Sequence, residues 1–291
     1  MAYVESYWRT NPWTGRRERV RPYRRADVAP THVVVDGGAP DPADVAAGIV
    51  PIDVTSRDAN LPIVKYEEVI GDDDLSGAVH TQARFYRLRS KEHWGARFEN
   101  LTGEDLHFDE CLMPRLTITG TTQLDNVFFD GCDLSDLKMT ESTATNSLFK
   151  ENTLYGLISN SDLTGSKFVD NDMRGVDIGN SSLRDTVFQG GSLAHEASIS
   201  ECDTQGAKFQ HVVMTGSELE GDFRGVVFDH CVMRDMNATE ANFKDADFSG
   251  SDLAGLRYRD PSQFAGATYT RRTTLPEGLD PDAAGMVKLT A

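Results

Sequence analysis

The sequence predicts an all-β protein whose centre is a four-sided β-helix. Large apolar residues recur every five positions from Phe98 to Tyr258, with four single-residue corrections. From Phe108 to Phe248 every fourth of these positions is a phenylalanine, so that one column of Phe recurs about every twenty residues. A five-residue period fits neither the α-helical period of 3.6 nor the strand period of 2. It does fit a short extended piece that is followed by a corner.

Composition limits the classes of function. The chain has 291 residues, which allows one large domain or two smaller ones, and its hydrophobic content of 39% argues against wholesale disorder. No run of about 18 apolar residues occurs, so we expect no membrane span. The formal net charge of -17 disfavours nucleic-acid binding by the whole molecule, because phosphates would repel it. It suits a basic partner instead.

Charge divides the chain into four segments. Residues 1–25 have a net charge of +5 and interleave arginines with aromatic residues, so we expect an extended arm. The arm could contact nucleic-acid phosphates, but docking on an acidic protein surface is favoured, and direct nucleic-acid binding is expected of no other segment. Residues 26–95 (net -6) are expected to form a small N-terminal capping domain, residues 96–260 (net -16) the repeat, and residues 261–291 (net 0) a C-terminal cap. The arm arginines expected to contact a partner are Arg16, Arg17, Arg19, Arg21, Arg24 and Arg25.

The repeating unit is small, polar, large apolar, polar, polar. Its cleanest copies are residues 241–245, 246–250 and 251–255. Alternation along the extended piece turns the first and third residues inward, and four sides close a coil of about twenty residues. About eight coils then fill residues 96–260. The predicted internal stack, with one ring per coil, consists of Phe108, Phe129, Phe149, Phe168, Phe188, Phe209, Phe228 and Phe248.

These units resemble the pentapeptide-repeat family, whose consensus is Ala-Asp/Asn-Leu-x-x. The resemblance covers residues 96–260 and implies a right-handed quadrilateral β-helix. In period, rod shape and acidity the segment is similar to the pentapeptide-repeat proteins that protect topoisomerases from quinolones, which present carboxylates where DNA presents phosphates. Family relatives are often dimers through their C-terminal ends, which implies a homodimer here. The candidates for such pairing are Phe264, Leu275, Leu279 and Met286.

The residue before each large apolar position points outward. On one side of the rod these residues are mostly acidic. Their acidity indicates either a binding surface or a preference of the repeat itself for Asp at this position. On the phenylalanine side half of them are large and apolar, which indicates a surface covered by residues 26–95 or by a partner. The predicted acidic face consists of Asp162, Asp203 and Asp222. The predicted apolar ridge consists of Phe128, Leu148, Val187 and Val227.

No constellation of catalytic residues is apparent, so we predict a non-enzyme with no cofactor and no metal site. The histidines of the repeat region form no H-E-x-x-H motif and no pair at helical spacing. The cysteines lack the C-x-x-C spacing of a zinc site and fall on small inward positions, as buried reduced thiols would. The expected location is the cytoplasm, or a particle assembled there. The four cysteines are Cys111, Cys132, Cys202 and Cys231.

These features favour a non-enzymatic protein-interaction or scaffold module. One form of this hypothesis is an acidic DNA mimic that acts on DNA gyrase, another topoisomerase or another DNA-binding protein. The alternative is a structural component of a larger assembly, such as a phage particle or a secretion apparatus, tethered by the basic arm.

The predicted register can be tested with two substitutions. Phe168→Ala removes a ring from inside the stack and should lower the free energy of unfolding by roughly 3–5 kcal/mol. Asp162→Asn changes an outward residue and should leave the stability almost unchanged. Denaturant unfolding measures both. If neither substitution changes the stability, the inward and outward positions have been misassigned.

Overall fold

The computed structural model describes residues 84–90 and 96–290, together with strands at 2–4, 7–10, 17–20, 23–25, 63–66, 69–70 and 79–81. In these ranges the protein is built almost entirely from short β-strands, with one 3-10 turn at Pro261–Phe264 and no α-helix. None of the described ranges contains a helix long and apolar enough to cross a membrane. The fold is a right-handed quadrilateral β-solenoid of about ten turns.

Two large parallel sheets form two sides of the solenoid. One sheet has nine strands, and we call it the phenylalanine face. The other has eight strands, and we call it the eight-stranded face. In both sheets the strands lie side by side in chain order. The phenylalanine face consists of β5 (Ile63–Tyr66), β8 (Arg84–Tyr86), β12 (His107–Asp109), β15 (Phe128–Asp130), β18 (Leu148–Lys150), β20 (Lys167–Val169), β22 (Val187–Gln189), β24 (Lys208–Gln210) and β26 (Val227–Asp229). The eight-stranded face consists of β10 (Arg97–Glu99), β13 (Thr117–Thr119), β16 (Asp133–Thr140), β19 (Thr153–Ser159), β21 (Val176–Gly179), β23 (Ser198–Ser200), β25 (Glu218–Asp222) and β27 (Asn237–Asn242).

The other two sides are held by shorter ladders. The four-stranded face begins as a parallel sheet and continues through single bridges such as Asp162 to Ser182. The fourth side, which we call the bridge face, is held mainly by single parallel bridges, for example Val213 to Val232. The four-stranded face consists of β7 (Val79–Thr81), β11 (Thr102–Glu104), β14 (Gln123–Asp125) and β17 (Thr143–Thr145). Two further strand pairs are β6 (Val69–Ile70) with β9 (Arg89–Ser90), and β28 (Thr268–Tyr269) with β29 (Val287–Lys288).

The predicted phenylalanine stack is present in the interior. Adjacent rings lie 4.7–5.3 Å apart between centroids, with interplanar angles of 2–12°. This separation is close to the distance between neighbouring strands of a sheet, so each ring simply follows its strand. All eight rings are buried. Aromatic pairs of this kind contribute about 0.5–1.5 kcal/mol each beyond the burial of their area.

The sheets extend beyond the predicted start of the repeat at residue 96. Strand β8 pairs in parallel with β12, and Phe85 stacks on Phe108 with ring centroids 4.7 Å apart. Strand β5 pairs with β8, and β7 pairs with β11. The prediction of about eight coils was therefore too low. It missed these turns because the five-residue period cannot be followed N-terminal to Phe98.

The predicted N-terminal arm, residues 1–25, contains four short strands that pair with one another. Strand β2 (Tyr7–Thr10) pairs antiparallel with β3 (Arg17–Val20), and β1 (Ala2–Val4) pairs antiparallel with β4 (Tyr23–Arg25). Aromatic residues and Thr favour strands, which is consistent with this pairing. Most of the predicted capping domain, including residues 26–62, lies outside the described residues. The division into arm and capping domain stays a prediction.

The corners of the solenoid have left-handed backbone conformations. Outside glycine, the positive φ angles in the described residues range from 49° to 66° and belong mainly to Asn, Asp, Glu and His. Short polar side chains tolerate this region better than other residues do. Gly156 is required for a second reason, because a Cβ atom there would lie 2.2 Å from the carbonyl oxygen of Leu137 in the preceding coil.

Residues 261–290 close the C-terminal end. The 3-10 turn begins at Asp260, whose side chain accepts a hydrogen bond from the Ser262 N–H. Phe264 is buried and packs against Phe243, with ring centroids 5.5 Å apart. Leu279 and Met286 are also buried in the same core. Three of the four candidates for homodimer pairing are thus buried in the core, and nothing in the described residues supports the predicted homodimer.

Candidate interaction surfaces

The predicted apolar ridge lies along the outside of the phenylalanine face. Phe128 pairs in register with Leu148, and the ring of Phe128 stacks on His107 with centroids 4.3 Å apart. Along the same face, Lys167 lies between Leu148 and Val187, and Lys208 lies between Val187 and Val227. All four ridge residues are half-buried. The ridge is therefore one apolar pair followed by two isolated valines, and not a continuous stripe.

The predicted acidic face lies on the four-stranded side, and its carboxylates have a local structural role. Asp162, Asp203 and Asp222 each accept a hydrogen bond from the backbone N–H two residues later, at 2.9, 3.2 and 3.3 Å. This is the turn that Asp and Asn side chains form at the end of an extended piece. Asp133 and Asp252, on the bridge face, make the same contact at 3.0 and 3.1 Å. The preference of the repeat for Asp at this position follows from the turn.

Two of the three carboxylates on this face also form ion pairs. Asp203 lies 2.9 Å from an Arg184 nitrogen, and Asp222 lies 2.7 Å from an Arg224 nitrogen. Hydrogen bonds from Arg224 hold the pKa of Asp222 below its ordinary value, with a smaller contribution from Asn242. The predicted acidic face therefore carries less net charge than its carboxylates alone suggest.

The corners carry much of the negative charge, and sequence reasoning did not identify them. Carboxylates with positive φ occur on all four edges of the rod, and most of them are exposed. Among the described residues Asp185, Glu201 and Asp245 form no ion pair. The acidic corner residues are Asp105, Glu110, Asp136, Glu141, Glu151, Asp170, Asp185, Glu196, Glu201, Asp235 and Asp245.

Several corner carboxylates lie over a glycine in the next coil. A Cβ atom built on Gly206 would come within 2.2 Å of a carboxylate oxygen of Asp185. The same relation joins Asp245 to Gly266 at 2.1 Å. At these corners the carboxylate occupies the space that a side chain on the later residue would need, so the glycine there follows from the geometry.

One cluster of candidate metal ligands lies on the edge that follows the phenylalanine face. One ligand atom from each of His211, Asp229 and His230 lies within 4.8 Å of the others. The spacing of 19 residues between the histidines hid this cluster in the sequence, because only coil stacking brings them together. No other such cluster occurs among the described residues.

The cysteines are poor candidates for metal or redox chemistry. All four are free and buried, as the sequence predicts. Burial raises the pKa of Cys202 to about 11 and that of Cys231 to about 12. The thiolate is the form that binds metals, so these side chains act as small apolar groups of the interior.

A neighbouring interior position holds buried asparagines, which sequence reasoning did not predict. Asn152 accepts a hydrogen bond from the Cys132 N–H at 2.7 Å and donates to the Phe129 carbonyl at 2.9 Å. Asn171 repeats this pattern one coil later. These contacts connect successive coils where a purely apolar interior would leave backbone groups unsatisfied.

Comparisons with known proteins agree with this geometry. Residues 222–255 match the family model described as pentapeptide repeats, in eight copies. No curated protein sequence matches the chain. Together, the five-residue ladder, the four stacked faces and this match define a β-solenoid. The family match covers residues 222–255, and the stacked parallel coils around them form a β-solenoid of the kind that such repeats predict.

Three solved structures that are similar to this chain differ widely from it in sequence. QnrB1, a plasmid-mediated fluoroquinolone resistance protein, is 18% identical over 77% of this chain and 88% of its own, with a TM-score of 0.27. HetL, a pentapeptide-repeat protein involved in heterocyst differentiation regulation from Nostoc sp. strain PCC 7120, is 11% identical over 74% of this chain and 87% of its own, with a TM-score of 0.27. The A-module of the Azotobacter vinelandii mannuronan C-5 epimerase AlgE4 is 10% identical over 77% of this chain and 76% of its own, with a TM-score of 0.52. At 10% identity and a TM-score of 0.52, the similarity to the AlgE4 A-module concerns the fold alone.

The ion pair on the acidic face predicts a shifted titration. Arg224→Gln should raise the pKa of Asp222 towards its ordinary value of about 3.9, because the hydrogen bonds that favour the carboxylate are lost. The folded-state pKa is lowered, so the stabilisation exists above the unfolded-state pKa and disappears as the pH falls through the folded-state value. Carboxyl-carbon NMR titration measures this shift. Arg184→Gln is the matched control, and an equal effect of both variants on Asp222 would contradict the assignment.

Proposed function

We propose that this protein is a non-enzymatic protein-interaction module that presents carboxylates around a rigid rod to a basic protein surface in the cytoplasm. The observation that carries this proposal is the placement of exposed carboxylates at the corners of all four edges. The backbone N–H groups of nine of the eleven acidic corner residues donate hydrogen bonds to carbonyls of the next coil, which fixes the positions of these charges. A basic partner would meet a surface that needs little ordering on binding.

The density of charge supports mimicry of DNA as the finer form of this function. Residues 96–260 carry a net charge of -16, and eight coils at about 4.8 Å span roughly 38 Å. This corresponds to about one negative charge per 2.4 Å, whereas duplex DNA carries one per about 1.7 Å. The partner class that this favours is a DNA-binding enzyme, and a topoisomerase such as DNA gyrase is the specific candidate that the family resemblance suggests.

The structure changes which residues we expect a partner to contact. Asp203 and Asp222 are ion-paired within the rod, so a partner would have to compete with Arg184 and Arg224 for them. Corner residues such as Asp185 and Asp245 require no such competition. We therefore propose that the corners contribute most of the electrostatic attraction, and that Asp162, Asp203 and Asp222 contribute less.

Binding to purified DNA gyrase tests this proposal. We expect the affinity to fall about tenfold or more between 50 and 200 mM salt, because the attraction acts between exposed charges. Asp185→Asn combined with Asp245→Asn should weaken binding at low salt by roughly twofold to thirtyfold. Asn accepts the left-handed conformation of both positions, so the fold should persist.

A second pair on the diagonally opposite edge separates two forms of mimicry. Asp136→Asn combined with Asp235→Asn removes the same formal charge from corners with the same backbone conformation, and of these two carboxylates Asp136 lies 3.8 Å from an Arg115 nitrogen. Similar losses for both pairs would indicate that the whole field of the rod attracts the partner, and a loss for one pair would indicate a single binding edge. An affinity that depends neither on salt nor on these substitutions would contradict electrostatic mimicry.

A second candidate is a structural component of a larger assembly. The paired arm and the apolar pair Phe128 and Leu148 favour this function. Strands β1–β4 form two small sheets of their own and pair with no strand of the solenoid in the described residues. An arm whose described strands pair only with one another could tether the rod to a neighbouring subunit.

Deletion of residues 1–25 tests this candidate. The truncated protein should keep the thermal stability of the rod but should disappear from sedimenting particles in the native host, because the tether is gone. Replacing Arg16, Arg17, Arg19, Arg21, Arg24 and Arg25 with Gln separates the charge of the arm from its presence. Undiminished sedimentation of the truncated protein would rule out the tether.

A further inference from the structure

We propose that His211, Asp229 and His230 form a surface site for a divalent transition-metal ion, with Zn²⁺ as the expected ligand. This site does not depend on the proposed interaction function. His211 and His230 occupy successive corners of one edge, and their rings stack with centroids 5.2 Å apart at an angle of 27°. Nδ1 of His230 lies 2.7 Å from a carboxylate oxygen of Asp229.

The backbone places these three residues with little freedom. Asp229 pairs in register with Gln210 at the end of strand β26, so the corners that follow these residues stack directly. The His211 N–H donates to the Asp229 carbonyl at 2.9 Å, and the His230 N–H donates to the Ser249 carbonyl at 2.9 Å. Both corners are thereby fixed relative to the adjacent coil, and only side-chain rotation remains for binding.

The ring of His230 occupies space that a glycine leaves open. A Cβ atom on Gly250, at the next corner of the same edge, would come within 2.7 Å of Cδ2 and Nε2 of His230. The ring is therefore held between the ring of His211 and the bare backbone of Gly250. This packing brings the imidazole near its partners before any ion binds.

The donor set suits a transition metal. Two imidazoles and one carboxylate are a common set for Zn²⁺, with water as the fourth ligand, and their bonds are about 2.0–2.2 Å long. Tetrahedral binding places the ligand atoms roughly 3.3 Å apart. Nδ1 of His230 and the Asp229 oxygen, now 2.7 Å apart, would therefore have to separate slightly, and the widest gap in the cluster, at most 4.8 Å, would have to close. Both histidines are exposed, so their side chains can rotate to make these changes. Mg²⁺ and Ca²⁺ prefer oxygen ligands and fit this site poorly.

Calorimetric titration of tag-free, full-length protein with Zn²⁺ tests the proposal. We expect His211→Asn and His230→Asn each to remove one equivalent of bound Zn²⁺. Asn tolerates the left-handed conformation at both positions, where φ is 57° and 53°. Asp229→Asn should weaken binding by about tenfold to a hundredfold. The matched control is His195→Asn, at another exposed corner with φ of 52°, which should bind Zn²⁺ as the wild type does.

Electron paramagnetic resonance with Cu²⁺ in place of Zn²⁺ gives an independent measurement on the unmodified chain. We expect the hyperfine pattern of two coordinated imidazole nitrogens, and its loss in the His211→Asn and His230→Asn proteins. Wild-type protein that binds no Zn²⁺ below millimolar concentration would overturn the proposal. So would Zn²⁺ binding of equal stoichiometry and affinity in the wild type and in both histidine variants.

Discussion

The spacing of parallel strands is the constraint on which the whole structure depends. Hydrogen bonds between coils hold neighbouring strands about 4.8 Å apart, so each residue lies directly above its counterpart about twenty residues earlier. The spacing is also close to the distance at which aromatic rings stack, and the phenylalanine column uses it along its whole length. Stacks of Phe, buried Asn contacts and corner geometry are all consequences of this single repeat distance.

The same constraint links the fold to its proposed function. Left-handed corners select Asn, Asp, Gly and His, so a solenoid of this type readily places acidic side chains along its edges. The acidity of the rod is therefore partly a structural outcome, and the distribution of charge over four edges distinguishes it from a single acidic face. The Asp residues before the apolar positions have a different reason, since they accept hydrogen bonds that complete each turn.

Sequence reasoning succeeded where the five-residue period was regular. It located the Phe column, the inward cysteines and the fold class, because each depends on a local pattern that recurs in phase. It failed N-terminal to Phe98, where β8 joins the phenylalanine face through residues that do not follow the period. It also did not predict the pairing of β2 with β3 within residues 1–25, because this pairing depends on a chain reversal that the composition of the segment does not specify.

By itself the sequence determined the kind of solenoid, its inward and outward positions and its overall acidity, since these follow from a period and a count of charges. Only the tertiary structure decided what the outward residues do. Ion pairs such as Arg184 with Asp203 join residues 19 positions apart, and His211 reaches His230 over the same separation. Such contacts depend on the exact register between coils. Each single-residue correction in the repeat changes this register, so only the three-dimensional stacking reveals which residues meet.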